Sequence, residues 1–315
     1  MRSAAVKPSP ATPSPPSWLA EHPEIMAYLM IAVSNILGGS TYAVTTVALK
    51  GFAEKDLILL RMALCALLFV PLAWSGRKRL AKATRGDWAR MAAVGIFGYA
   101  LPLALGTYGV KLSSATSASL LVGVEPVTIV LLSALFLGES LTGLKIISLI
   151  LGLAGALLIA FQGLPTLSGA FSDRLKGDLI LASHGCCWAL YSVLGKSALR
   201  RVKPLDFTAS TSIIGFFGVA AWTLPGATPS AWVTISTPAW LAMSYLAVAG
   251  GFLAVILWNV ALEKIEASKV ANFIFLQPVV GVLLGVGLQG DPFTGWSMAG
   301  GALVLAGMWA ASSSG

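Results

Sequence analysis

What this chain can become is limited first by its apolar runs. Stretches of 18 or more predominantly apolar residues recur from Ile25 to the C-terminus, and a helix of ~20 such residues crosses a hydrocarbon layer of ~30 Å. Hydropathy marks ten of them: Ile25 to Leu49, Leu57 to Trp74, Trp88 to Gly109, Ala115 to Leu137, Leu144 to Phe161, Leu179 to Ser197, Phe207 to Leu224, Ala239 to Leu262, Lys269 to Leu288 and Phe293 to Ala311. Inside lipid each backbone N–H and C=O needs a partner within its own segment, so the runs must be helices. A barrel would need alternating segments of ~10 residues, and the sequence has none. The expected fold is therefore an all-α membrane protein with ten transmembrane helices. Composition agrees, with 57% apolar and 11% charged residues against ~45–50% and ~25% in soluble domains.

The net charge of +8 would raise the question of nucleic acid in a soluble protein, but here the basic residues sit in particular loops. Arg77, Lys78, Arg79, Lys82, Arg85 and Arg90 follow the second run, and Lys196, Arg200, Arg201 and Lys203 follow the sixth. With Arg2, Lys7, Lys145, Lys264 and Lys269 they place fifteen cations on one side, against Lys50, Lys55, Lys111, Arg174 and Lys176 on the other. Cytoplasmic loops carry the excess of Lys and Arg, so both termini are expected in the cytoplasm. Residues 1–24, rich in Pro, Ser and Ala and without an apolar core, are expected as a disordered cytoplasmic tail rather than a signal peptide.

The chain also repeats itself. Ala115, Pro126, Gly138, Gly143 and Gly155 recur as Ala267, Pro278, Gly290, Gly295 and Gly307, each 152 residues on. A shared register over five landmarks marks an internal duplication. Residues 25–161 and 177–311 are the two copies, joined by a connection over 162–176. Each copy holds five spans, an odd number, so the second is expected upside down relative to the first. Inverted repeats of this kind are a transporter architecture, with the substrate site near the midplane between them.

The pairs Glu125-Pro126 and Gln277-Pro278, together with the helix end Phe136-Leu137-Gly138-Glu139, resemble the drug/metabolite transporter superfamily in its ten-helix EamA-like branch. The second copy departs at Leu288-Gln289-Gly290-Asp291, where Asp replaces Glu and a carboxylate is kept. The resemblance runs from Ile25 to the C-terminus. Within the branch the chain looks most like bacterial aromatic amino acid exporters, which implies an inner-membrane exporter of aromatic and other neutral amino acids. An exporter of drugs or other small amphipathic metabolites on the same fold is the alternative.

Several intramembrane residues invite a role, each beside a plainer one. Pro126 and Pro278 are read near mid-span, where a proline frees the carbonyl four residues earlier, those of Val122 and Ile274; they are either paired hinges or packing kinks. Glu125 is a carboxylate well inside a span, where ionisation costs ~2.5–3.5 kcal/mol on insertion scales. It is a coupling group or a neutral structural carboxyl, and its counterpart Gln277 suits the second role. Asn35 and Tyr42 share one helix face, and His184, Trp188 and Tyr191 share another. Both faces should turn inward, to bridge helices or to line a cavity.

Tyr99, Trp258, Asn259 and Asn272 complete the expected substrate site, with rings for an aromatic cargo and amides, imidazole and freed carbonyls for its charged head. Arg61, about one turn into its span, is expected to snorkel to the interface. Gly138-Glu139 and Gly290-Asp291 are expected to set the turn into the next helix, and Gly281-x-x-x-Gly285 to pack closely on a neighbour. Cys65, Cys186 and Cys187 lie in apolar runs, and His22 and His184 stand apart. No catalytic set, metal site or cofactor is expected, the partners are a small molecule and the bilayer, and a monomer suffices.

Overall fold

The computed structural model describes residues 23–112, 121–160, 171–284 and 295–313. The tail before residue 23, the expected start of the fourth span at Ala115, most of the connection 162–176, Gly285 and the landmark Gly290-Asp291 lie outside the described residues.

Within them the chain is helical, without a strand. In chain order the helices are α1 (Pro23–Ala48), α2 (Glu54–Leu80), α3 (Arg85–Leu112), α4 (Val124–Leu137), α5 (Gly143–Ala160), α6 (Phe171–Leu199), α7 (Pro204–Thr223), α8 (Thr237–Lys264), α9 (267–284) and α10 (Gly295–Ser313). Among the described residues five stretches are long and apolar enough to cross a membrane: Glu24–Ala48, Glu54–Leu80, Arg85–Leu112, Pro204–Gly226 and Thr237–Lys264.

Local chemistry explains the ends. Thr84 caps α3: its hydroxyl accepts from Asp87 N, and the Asp87 carboxylate accepts from Thr84 N, which satisfies two orphan donors at once. Pro204 opens α7 at a position where its missing N–H costs nothing. Helix α2 runs past the expected Trp74 to Leu80, with Arg77, Lys78 and Arg79 in the last turn, where cations suit the dipole. Gly138 ends α4 at φ 70° and its N–H reaches Ser133 O, a left-handed close that a Cβ would strain.

The outer surface is apolar. Leu67, Leu135, Phe136, Phe217 and Leu241 are each at least 65% exposed, a surface that suits lipid contact and would aggregate in water. Inside, Tyr99, Tyr191 and Phe207 are fully buried together where α3, α6 and α7 meet, and Phe69 of α2 is buried against Phe252 of α8. Helices α5 and α10 lie tightly together: a methyl at Gly155 would stand 2.5 Å from Gly300 O, and one at Gly307 2.9 Å from Ser148 O. Small residues permit such backbone approach.

Contacts between connections sort into two ends. At one end Arg79, after α2, forks onto Asp206 at the start of α7 with 2.6 and 2.7 Å bonds. Lys196 of α6 donates to the carbonyls of Leu262 and Ile265 at 2.6 and 2.7 Å, and Lys145 pairs with Glu266 at 2.7 Å. The Glu139 carboxylate accepts from Ala267 N and Ser268 N. It was expected to shape its own turn; instead it caps α9, whose first donors it reaches across the bundle. At the other end Lys111 pairs with Glu54, and Asp56, at the start of α2, accepts from Thr228, after α7. The connections that follow α2 and α7 thus stand at opposite ends.

Candidate functional site

Two helices change winding where they meet. Val94–Ala100 in α3 and Leu246–Leu253 in α8 are π-helical, and their first residues are 152 positions apart. The Tyr99 hydroxyl donates to Gly251 O at 3.0 Å, bonding two residues that are also 152 apart. Wider π turns are frequent at functional sites, and here they flank a cavity. No hydropathy pattern announced them.

The cavity offers about 110 Å³ to the centres of water molecules. That is well above the roughly 10–15 Å³ needed to admit a single water, so the space can hold several waters or a small ligand. Its wall comes from α1, α2, α3, α4, α6, α8 and α9. Of the expected site residues, Asn35, Tyr42, Tyr99, His184, Trp188, Trp258 and Glu125 line it. Trp188 stands edge-on to Tyr99 at 6.1 Å and to His184 at 6.3 Å between ring centroids, within the range of favourable aromatic pairs.

His184 Nδ1 lies 2.7 Å from Pro102 O. A carbonyl only accepts, so Nδ1 carries the proton and neutral imidazole leaves Nε2 as an acceptor. Asn35 is already occupied: its Nδ2 donates to Ile31 O at 2.9 Å, and its Oδ1 accepts from Gln277 Nε2 at 2.9 Å. Gln277 also lines the cavity and ties α9 to α1.

Three expected site residues stand outside the wall. Asn259, with no exposure, donates to Tyr191 Oη at 2.5 Å and Thr208 Oγ1 at 2.9 Å. Tyr191 is equally buried, its ring 6.1 Å from Phe207. Asn272 donates to Ser268 O at 2.9 Å. A polar face on a membrane helix points inward, but inward here means the next helix.

The prolines also differ from expectation. Each is the third residue of an α segment, Pro126 in Val124–Leu137 and Pro278 in Leu276–Leu284, behind a turn at Val122-Gly123 and a 3-10 turn at Phe273–Phe275. At Pro126 the first-turn position breaks no helix bond, and Val122 O accepts from Glu125 N at 3.2 Å rather than lying free; Pro278 stays inside the unbroken helical run of α9, after its 3-10 turn.

Arg61 is the largest departure. It does not reach the interface; it is 7% exposed and lines the cavity. Its guanidinium passes over Gly250, where a Cβ would meet Nη2 at 3.5 Å. Its place seven residues into α2 does not by itself tell an inward turn from an outward one.

A lipid-facing exterior around a partly polar internal cavity defines a multi-pass α-helical membrane protein. A family model described as EamA-like transporter family matches residues 25–161 and 175–313, and the chain belongs to that family. It is thus a transporter, seated in a bilayer and binding small molecules. Among its relatives is the "Uncharacterized transporter YyaM" of Bacillus subtilis (strain 168), 27% identical over 90% of this chain and 93% of that one. Another is the "Probable terminal-alkyne amino-acid exporter" of Streptantibioticus cattleyicolor, 22% identical over 88% and 90%. One solved crystal structure superposes with a TM-score of 0.72, 21% identity and coverage of 90% of this chain and 95% of that chain, which places the fold.

Proposed function

We propose that this chain is a secondary transporter that exports aromatic and other neutral amino acids across a bacterial inner membrane by alternating access. In this reading residues 25–161 and 177–311 are five-span halves threaded in opposite senses, with both termini cytoplasmic. The observation that carries it is the wall of the cavity, where the rings of Tyr42, Tyr99, Trp188 and Trp258 stand beside ionisable groups from α2 and α4. Rings receive an apolar or aromatic side chain, and polar groups receive the charged head. The two-fold family match supports the duplication, and the opposite placement of the connections after α2 and α7 supports the inversion. A relative named as an amino-acid exporter supports the cargo.

Alternating access needs elements that pivot, and the tight turns ahead of Pro126 and Pro278 are the hinges in this proposal. Purified protein in liposomes, assayed for counterflow of radiolabelled tryptophan, phenylalanine, threonine and a drug-like cation, tests the reading. Tryptophan and phenylalanine should exchange faster than threonine, and the cation should not. Exchange of the cation without any amino acid would give the site to drugs or other amphipathic metabolites.

A further inference from the structure

Arg61 holds a position that the packing of the protein does not explain. It lies seven residues into α2, about 10 Å along the axis at 1.5 Å per residue, and its side chain is 7% exposed. Among the described residues it forms no ion pair. Its Nε is buried without an acceptor, and no described group accepts from the remaining guanidinium nitrogens. The neighbouring polar groups are directed elsewhere: Cys65 Sγ donates to Ala247 O, Thr41 Oγ1 to Gly38 O, and Tyr99 Oη to Gly251 O. A buried cation with unfilled donors is costly, and no described residue gives it an acceptor or an ion-pair partner.

The cavity carries a second group in the same condition. Glu125 is also 7% exposed, lines the same space and accepts no hydrogen bond from a described residue. The two are not within ion-pair distance of each other. One part of the wall therefore presents a guanidinium, with its planar fork of N–H donors, and another presents a carboxylate, in the same cavity as the rings. A guanidinium fork matches the two oxygens of a carboxylate.

We propose that Arg61 is the residue that recognises the substrate's carboxylate, that Glu125 faces its ammonium group, and that the cavity consequently selects solutes bearing a carboxylate. The assignment rests on the amino acid reading above and names the atoms of the cargo that are held. It moves the head group from Asn35, whose amide is filled by Ile31 and Gln277, to the two side chains left open. The buried Nε1 of Trp258, also in the wall and without an acceptor, adds a further donor for a substrate oxygen.

The test is binding of radiolabelled tryptophan to the full-length protein in detergent, competed by unlabelled tryptophan, by indole-3-propionate, which lacks the ammonium, and by tryptamine, which lacks the carboxylate. Loss of a charge-assisted fork is worth roughly one to two decades of affinity. Tryptamine should therefore compete about 10- to 100-fold more weakly than tryptophan, and indole-3-propionate should retain more of the affinity than tryptamine. Arg61→Gln should weaken tryptophan by a similar factor and leave tryptamine unchanged, with Arg61→Lys in between. Equal competition by tryptophan and tryptamine on the unaltered protein would overturn the assignment, even if the variants fail to fold. So would equal loss of both ligands in Arg61→Gln. Failure of tryptophan to bind while a drug-like cation binds is a different pattern, and it would remove the amino acid reading together with this one.

Discussion

Replacing Glu139 by alanine should release the start of α9. The carboxylate accepts the backbone N–H groups of Ala267 at 2.8 Å and Ser268 at 3.0 Å, so a side chain after α4 caps a helix from the other half of the chain. Hydrogen bonds to a charged group contribute about 1.5–3 kcal/mol each, and a carboxylate at a helix N-terminus adds about 0.3–1 kcal/mol. Glu139 is partly exposed, so the lower values apply, and the whole cap is worth about 2–4 kcal/mol. If this end opens during transport, that amount moves the open population by roughly 30- to 700-fold, at 1.4 kcal/mol per decade.

Ser268 is 1% exposed and reports on that opening. In a background of Cys65→Ala, Cys186→Ser and Cys187→Ser, the thiol of Ser268→Cys should react slowly with a water-soluble maleimide. Adding Glu139→Ala should accelerate labelling toward the stated range, and Glu139→Gln, which keeps one acceptor oxygen, should give an intermediate rate. An unchanged labelling rate in Glu139→Ala would refute the reasoning, because the cap would then hold nothing shut.

Trp188→Ala and Tyr42→Ala should weaken aromatic cargo more than threonine in competition assays, by about 2- to 13-fold from ring pairing alone at 0.5–1.5 kcal/mol; equal loss for all cargo would mean packing. Asn259→Ala should lower the melting temperature by leaving buried hydrogen bonds unmade, at about 1–3 kcal/mol, while the ratio of tryptophan to threonine transport stays constant. In Gly251→Ala the new methyl would meet Cys65 Sγ at 2.3 Å, and such overpacking costs about 1–3 kcal/mol. Cys65→Ala should recover part of that loss in thermal unfolding, and strict additivity of the two would show that they do not touch.

Much of the helical layout was legible because lipid leaves a long apolar run few alternatives. The runs around Ile25, Leu57, Trp88, Phe207 and Ala239 became long helices, with ends shifted by caps such as Thr84 and Pro204 that hydropathy does not weigh. Two rings of the cavity were legible for a related reason, since Tyr42 and Trp188 lay on polar helix faces expected to turn inward. Arg61 was misread because distance from a span's end does not say which way a long side chain turns; the cavity that receives it is built from other helices. Asn259 and Asn272 bond within and between helices and do not line the cavity, because spacing places a polar group inside the bundle without separating a cavity wall from a helix contact. Pro126 was placed in mid-helix because a turn between apolar residues, here Val122-Gly123, leaves hydropathy unchanged.

The two stretches of looser winding have a consequence for the shape of the wall. Each α-helical residue advances the side chain direction by about 100°, and a π stretch interrupts that count. Thr107 and Trp258 both lie downstream of such a stretch and line the cavity. Excising one residue from Val94–Ala100 or from Leu246–Leu253 would restore an even pitch and rotate everything beyond it by about that angle. Thr107 or Trp258 would then be swung out of the wall while the helix itself stayed whole. The direction in which the α3 and α8 parts of the chamber's lining look is set, in each of these two helices, by one surplus residue.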